Sequence, residues 1–430
     1  MGRLAEERFA SDCTILVDGH PIPARAGERV TSALLAAGQP LLSRSAKYHR
    51  PRGPFCLAGS CSSCLVRVDG VPNVRACQTP CREGLRVETQ NAVGGAAHDL
   101  LGAIDWLAPH GIDHHKVATW NQLVNRVAVS ASRKLAGLGL LPDEVPAPWP
   151  EASDERFEAL VVGSGPAGLG AAEALARAGK KVFLAEREPA LGGRLRCRLD
   201  LAEDPPLEWA GEVAEAVRRA GGEVARGAAV IGLWPGEGEA TAAVVQAGEP
   251  PRMRRVRAAR VVLASGSWIQ RPVFERNDVP GIHAARSLAV MLAEDGVLPG
   301  ERLAVLGRGP EAEAVAARFA AAGLAVERLD GEIATARGRN RLSGLDLADG
   351  RRVPCDALAV ATARMPAAEL ARSVGAPLEL DPETGAFRVR PGAGGAVAPG
   401  IHAAGEVTGP CSAAEAARAG REAGEAAARG

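Results

Sequence analysis

Cys56, Cys61, Cys64 and Cys77 are separated by four, two and twelve residues, and this spacing constrains the chain more than any other feature in it. It is the plant-type ligand pattern of a 2Fe-2S cluster. The loop between the first three cysteines is built of small residues, Ala58, Gly59, Ser60, Ser62 and Ser63, so three thiolates can converge while backbone N–H groups turn towards cluster sulfurs. Cys77 then supplies the fourth ligand from a strand-adjacent position. Cys81 is the rival for that place, and Cys77 is preferred because it continues the strand. Zinc favours two short Cys pairs or Cys/His mixtures, which this spacing does not offer, and buried structural packing is the third reading. Cys13, Cys197, Cys355 and Cys411 are isolated in sequence and suit small-hydrophobe packing.

The flanks of the cysteine loop fit a small mixed domain. Asp18-Gly19 and Asp69-Gly70 each separate two apolar runs, the signal of a two-residue hairpin. A short helix is expected over Val30–Ala37, with Thr31 or Ser32 near its start and Gly38 as a left-handed cap. Leu85 to Thr89 reads as a closing strand. Two hairpins, one helix and a late strand around four cysteines predict a β-grasp ferredoxin-like domain over residues 1–95.

Residues 96–152 show helical periodicity only in pieces, such as Leu123, Val127 and Leu135, and end in a run with four prolines between 142 and 150. Prolines so dense cannot lie inside a helix, so the region reads as a helical linker with a stiff end. His110, His114 and His115 cluster there without a further ligand at suitable spacing, and solvated or interface histidines are the simpler reading.

Beyond 152 the pattern becomes strand, glycine turn and Ala-rich helix, first at 157–179 and again at 301–323, the mark of α/β architecture. The first unit carries Gly163, Ser164, Gly165, Pro166, Ala167 and Gly168 between a strand and a helix, with Glu186 at the end of the next strand, 23 residues after Gly163. Gly163 allows the tight turn, Gly165 lets backbone approach a pyrophosphate, and Gly168 lets helix and strand pack closely. The helix N-terminus offers N–H donors and partial positive charge to phosphate, and Glu186 an acceptor to a ribose hydroxyl. The second unit repeats the pattern with Gly307, Gly309 and Asp330, again 23 residues on, but Ala312 replaces the third glycine and Glu311 and Glu313 put negative charge where phosphate would come. An acid at Asp330 would favour NAD over NADP, so this unit is either an NAD site or a vestigial domain serving as packing surface.

Lys plus Arg and Asp plus Glu both total 51, so net charge gives no reason to expect nucleic acid as a partner, and no run of 18 apolar residues predicts a membrane span. The opening residues lack the basic start and apolar stretch of a secretory signal, and position 6 is Glu where myristoylation needs Ser or Thr; the expected location is cytoplasmic. Nine cysteines in such a compartment are not a disulfide framework.

Several further segments resemble two-dinucleotide-domain flavoproteins. Gly400-Ile-His-Ala-Ala-Gly405-Glu406 resembles their second FAD motif, in which the acid contacts the ribityl chain; Val261–Gly266 resembles their strand-and-glycine connector; and Glu186-Arg187 through Gly192-Gly193-Arg194 completes the likeness. The fold class implied is α/β, a β-grasp 2Fe-2S domain followed by a two-dinucleotide-binding-domain (Rossmann-like) flavoprotein module. The domains fall at 153–268 with 355–430 for FAD or another nucleotide, and 269–354 for an inserted NAD-binding-like domain. No paired-Cys redox motif lies in this half, so a thiol relay of the disulfide-reductase kind is not expected.

The order of a ferredoxin-like domain before nucleotide domains, with Lys47-Tyr-His-Arg-Pro-Arg-Gly53 ahead of the cluster and Ala136-Gly-Leu-Gly139 in the linker, resembles the α subunit of heterotetrameric sarcosine oxidase. The resemblance covers nearly all 430 residues and corresponds to the N-terminal half of that subunit. Related shorter subunits occur in hydrogen cyanide synthase, opine oxidases and dye-linked proline or hydroxyproline dehydrogenases. Sarcosine oxidase itself typically lacks the cluster cysteines, and their presence moves this chain towards the dehydrogenase relatives. The resemblance implies a separate glycine-oxidase-like FAD β subunit that oxidises the amine, with further small subunits in some relatives. It also implies FAD in the first nucleotide site, or NAD or ATP at the same place, and FMN at a subunit interface. Tyr48, His49, Arg50 and Arg52 then read as a basic segment positioning the cluster loop. The rival expectations are a self-contained NAD(P)H-dependent flavoprotein reductase with a fused ferredoxin domain, and an assembly scaffold with structural sites.

Overall fold

A computed structural model describes the chain except for Met1 and residues 46–48, 93–94, 99–120, 136–141, 143–147, 249 and 383. His110, His114, His115, Lys47, Tyr48 and Ala136 to Gly139 therefore lie outside the described residues. The chain divides into two compact units, one formed by 1–146 with 271–362 and the other by 147–270 with 363–430.

In the first unit, a five-stranded sheet has the order His20–Ala24, Cys13–Val17, Arg86–Glu88, Leu65–Val68, Val71–Arg75. Both Asp-Gly pairs sit at positive φ (Asp18 48°, Gly19 81°; Asp69 44°, Gly70 80°), which matches the twist of the strands they join. The helix Val30–Ala36 packs beneath, ending where Gly38 takes φ +75°. Its N-cap is Arg29, with no side-chain cap. Thr31 and Ser32 do not cap it: both are buried, and the Ser32 hydroxyl donates to Asp295 Oδ2 at 2.6 Å.

The same unit contains a four-stranded parallel sheet in the order Ile282–Ala284, Ala357–Val360, Arg302–Leu306, Ala325–Leu329. Ala357–Val360 belongs to this sheet because it pairs with both of its neighbours, so the chain leaves the inserted segment after Thr362 rather than at 355. The cysteine-bearing domain and the inserted domain also prove to be one compact body rather than two. Gly2–Arg3 adds antiparallel to Val297–Leu298. Asp295, the last residue of helix Ala285–Asp295, is buried at the end where the helix dipole disfavours an acid. Arg25 at 2.7 Å and Ser32 from the cysteine domain offset that cost, and Arg52 pairs with Asp278 at 2.6 Å.

The second unit has an eight-stranded sheet whose main path runs Glu223–Arg226, Val182–Glu186, Ser153–Val162, Arg252–Leu263, Ala240–Gln246, Ala228–Pro235. Arg252–Leu263 is shared: its first half pairs antiparallel with Ala240–Gln246 and its last three residues pair parallel with Ile401–Ala403. Apolar clusters cover both faces, one beneath helices Pro166–Arg177, Trp209–Arg219 and Ala413–Arg429. The first and third of these helices approach so closely that a Cβ on Gly420 would stand 1.9 Å from the Ala167 carbonyl oxygen. Ser412 and Glu415 form a reciprocal capping box at the start of the last helix. In the linker, Gln122–Leu135 is helical.

Candidate functional site

The cysteine loop folds back on itself through left-handed backbone at Leu57 (φ 51°) and Gly59 (φ 69°). This brings Cys56, Cys61, Cys64 and Cys77 together while Cys81 points elsewhere. Cys61 N–H donates to Cys56 Sγ at 3.3 Å. The Cys61 thiol is held far above its usual value by the Cys56 side chain and then by burial. Cys64 is lowered, chiefly by the Cys77 side chain. Cys77 feels Cys56 most strongly, which pulls it down, but Cys64 and burial outweigh this and push it up to about 12. Cys81 is raised by burial and then by Glu28, with Cys13 and Asp295 as further neighbours, so it sits in a different pocket.

Among the described residues no three His, Cys, Asp or Glu side chains converge on a single-ion site. The four thiols instead form a row of neighbours, Cys61 beside Cys56, Cys56 beside Cys77 and Cys77 beside Cys64, a set that two irons each held by two thiolates could share. The backbone at Ser63 bonds the Cys61 sulfur and that at Gly59 the Cys77 sulfur, and both contacts favour the thiolate form that binds iron. The residues fit the group.

In the second unit the glycine turn has the geometry its spacing predicts. Gly163 takes φ +96°, and a Cβ there would lie 2.4 Å from the Ala264 carbonyl oxygen. A Cβ on Gly168 would lie 1.8 Å from the Gly163 carbonyl oxygen, and one on Gly193 2.7 Å from Gly165 Cα. A Cβ on Gly165 would meet nothing within 4 Å. Open space at that glycine, above a helix with no side-chain cap and no acid in its first turn, is a place that could hold a pyrophosphate. Glu186 is buried at the adjacent strand end. Its Oε2 accepts from the Ser164 N–H at 2.8 Å and from the Ser164 hydroxyl, and its Oε1 from the Glu188 N–H at 2.8 Å. A carboxylate has about four acceptor positions, so this leaves one for a ribose hydroxyl.

Glu406 follows Gly405, whose φ of +80° turns the chain beside Ala167. Arg194 donates to Glu406 at 3.2 Å and to the Cys411 carbonyl at 2.9 Å. Ser267, next to Gly266, donates to Glu406 Oε2 at 2.6 Å and accepts from Arg364 Nε at 2.8 Å. Ser267 and Arg364 are additions the sequence reading missed; only the neighbouring glycine marked Ser267, and nothing marked Arg364. Arg187 is exposed beside Glu188, outside this network.

At the second motif, Gly307 (φ +144°) and Gly309 (φ +84°) form a turn before helix Pro310–Ala321. Arg286 donates through Nε and Nη2 to Glu311 in the first helical turn, at 2.9 and 2.7 Å. Glu313 pairs with Arg328 at 3.3 Å, and Asp330 is exposed at the strand end. The chain's own carboxylates thus stand at this helix N-terminus.

One histidine near the cysteine loop escaped the sequence reading. His283 is fully buried with neither ring nitrogen hydrogen-bonded. Burial drives its pKa down to about 4, against an opposing pull from the nearby Pro54 backbone and with a further push from Arg271. The signal was present in plain sight: Pro280-Gly-Ile-His-Ala-Ala285 is repeated at Pro399-Gly-Ile-His-Ala-Ala404.

Comparison with known proteins agrees with this geometry. Residues 10–92 match the 2Fe-2S iron-sulfur cluster binding domain and residues 157–335 match the pyridine nucleotide-disulphide oxidoreductase family. Sarcosine oxidase subunit alpha of Rhizobium meliloti (strain 1021) is 30% identical over 327 residues, 72% of this chain and 33% of that protein. Hydrogen cyanide synthase subunit HcnA of Pseudomonas aeruginosa is 46% identical over 81 residues, 19% of this chain and 77% of that protein. The chain therefore spans about a third of the first relative and most of the second. The solved L-proline dehydrogenase from P. horikoshii shares the fold, with TM-score 0.74 and 21% identity over 97% of this chain and 73% of that one.

Proposed function

The chain belongs to the oxidoreductase subunit family of the sarcosine oxidase α subunit and HcnA, and from that premise we propose that it is the electron-relay subunit of a multimeric amine or amino-acid dehydrogenase or oxidase. The substrate class is that of sarcosine, proline, hydroxyproline or opines. Its partner is a glycine-oxidase-like FAD β subunit, with smaller subunits completing the assembly in the cytoplasm and FMN at a subunit interface. The observation that carries the reading is the presence, in one chain, of a four-thiol loop and a glycine cradle whose helix N-terminus carries no acid.

When bound, a flavin takes electrons in pairs and releases them singly, and a 2Fe-2S cluster moves one at a time. The chain's own residues hold and orient these groups. Gly163, Gly165 and the N-terminus of helix Pro166–Arg177 bind the pyrophosphate, Glu186 the adenosine ribose, and the Arg194–Glu406–Ser267–Arg364 network positions the far half of the nucleotide. Because the cradle reads the ADP half, NAD or ATP is accepted on the same contacts, and FAD is the occupant this reading assigns. Cys56, Cys61, Cys64 and Cys77 hold the cluster. The second motif is read as lacking nucleotide, since Glu311 and Glu313 put negative charge in its first helical turn.

The test is an anaerobic absorbance and EPR spectrum of the purified chain, with released nucleotides identified, before and after NADH. Cluster bands with bound flavin that NADH leaves oxidised, and amine oxidation only after the β subunit is added, are expected. Rapid reduction of flavin and cluster by NADH would overturn the reading in favour of a self-contained reductase.

A further inference from the structure

The cluster loop is gripped by the inserted domain as well as by its own. Ala284 N–H donates to the Phe55 carbonyl at 2.9 Å, and the Ser287 hydroxyl donates to the Cys56 carbonyl. Arg271, the first residue of the inserted segment, reaches into the same loop. Its guanidinium lies 4.2 Å from the centre of the Phe55 ring, donates to Ser63 Oγ at 3.1 Å, and is braced by the Asn277 carbonyl at 2.8 Å. Phe55 precedes Cys56 and Ser63 precedes Cys64, so one side chain holds both ends of the ligand loop.

Among the described residues no carboxylate lies within ion-pair distance of Arg271. The neighbouring Asp278 is engaged by Arg52 at 2.6 Å. Burial pulls the Arg271 pKa down and Arg52 adds to this, while the Cys61 sulfur, then Asp278 and the Cys56 sulfur, favour its charged form. A guanidinium keeps its proton in proteins, so it remains a fixed positive charge. A desolvated cation without a carboxylate is costly unless negative charge is nearby. Four thiolates around a cluster supply that charge, and reduction adds one more.

We propose that Arg271 is a positioning residue that sets the reduction potential of the cluster, holding the ligand loop in register and stabilising the reduced state through its uncompensated charge. The inserted domain thereby acts on the cluster rather than on a nucleotide. Net charge and hydrogen bonding around the sulfurs are the levers a protein has over such a potential. The inference rests on the four cysteines holding a 2Fe-2S cluster.

The experiment is an EPR-monitored redox titration of the full chain with its cluster loaded, comparing native protein with Arg271→Gln, Arg271→Lys and Asp278→Asn. Arg271→Gln should lower the midpoint potential with iron content unchanged, and a 59 mV fall would mean a tenfold less favourable one-electron reduction. Arg271→Lys, which keeps the charge, should retain most of the native value. Asp278→Asn removes a neighbouring negative charge and should shift the potential the opposite way, upwards. An assembled Arg271→Gln cluster at the native potential overturns the proposal. If that variant fails to assemble, an unchanged or lowered potential in Asp278→Asn overturns it instead. A native chain with no 2Fe-2S signal would sink the cluster reading itself, a result distinct from either.

Discussion

The two dinucleotide-type cores share a plan and differ in what they leave open. Each has a strand, a two-glycine turn, a helix beginning with Pro at its first position, and an acid 23 residues after the first glycine. Each also has a Pro-Gly-Ile-His-Ala-Ala strand parallel to a central neighbour. Gly165 and Gly309 both face open space, but at the first core the helix N-terminus is free of acids. At the second, Glu311 and Glu313 fill the first turn and each is paired with an Arg. The strands diverge in the same sense. Ile401–Ala403 has its outer edge covered by the chain's own Ala396–Ala398, whereas Ala284 donates to Phe55 of the cluster loop. The cysteine domain thus takes at one core a place that a local strand takes at the other. Spacing specifies the plan; the charge at the helix end and the cover on the strand edge decide what each core does.

The largest expected effect sharpens the first contrast. Gly168→Ala puts a Cβ 1.8 Å from a backbone oxygen, whereas the equivalent Ala312 is already accommodated, buried, in the second turn. The turns differ: Gly165 sits at φ −68° and Gly309 at +84°. Gly168→Ala should destabilise by upwards of about 3 kcal/mol and release the flavin, as overpacking against rigid backbone does. Thermal unfolding with a flavin assay checks this. Retention of native stability would mean the two turns are interchangeable after all.

Next comes a pH effect that separates the two identical strands. His402 is half-buried and its Nδ1 bonds the Gly394 carbonyl at 2.8 Å, while His283 is fully buried and unbonded. The His283 value of about 4 lies below its ordinary 6.5, so between those values the unfolded chain binds a proton the folded chain refuses. Stability from this group is therefore complete above pH 6.5 and is lost as pH falls towards 4. His283→Leu should flatten that acid limb in a plot of melting temperature against pH. Equal slopes in native and His283→Leu protein would refute the assignment.

Local physics was legible in the sequence and long-range pairing was not. The hairpin turns at Asp18-Gly19 and Asp69-Gly70, the cysteine loop and the first glycine cradle each follow from a few neighbouring residues with strict backbone demands. Cys77 stands beside the other thiols, but in the 3-10 turn Ala76–Gln78, so the strand continuity expected of it ends at Arg75. The docking of the cysteine domain was hidden because it depends on Arg3, Arg25, Arg52 and Ser32 meeting groups in the 278–298 region. None of these has a local signature. Residues 355–362 were placed in the wrong core because Ala357–Val360 is a bare apolar strand that fits either parallel sheet.

Gly165→Ala tests the open cradle with a smaller expected effect. Its φ of −68° suits any residue and no atom is near, so the fold should be unchanged. The added methyl occupies pyrophosphate space, and dinucleotide affinity should fall about tenfold, a cost of about 1.4 kcal/mol. Flavin fluorescence titration of the cofactor-stripped chain reads it. Unchanged affinity would show that phosphate does not sit over Gly165.

The smallest effect asks whether the second core is closed by charge alone. Glu311→Gln with Glu313→Gln removes both acids from the helix N-terminus and releases Arg286 from its fork with Glu311. A like charge about 4 Å from a bound anion repels it by about 1 kcal/mol in water, so removing both acids should improve binding of NADH by up to about thirtyfold. Starting from no measurable affinity, the outcome is weak quenching of NADH fluorescence at high concentration. Tight NADH binding by the native chain would erase the distinction between the cores, because Glu311 would then have to yield its Arg286 partner to a phosphate. If the double variant still shows no binding, the closure lies in backbone, in the Gly309 turn at φ +84° and the Cβ of Ala312, and charge is secondary to shape.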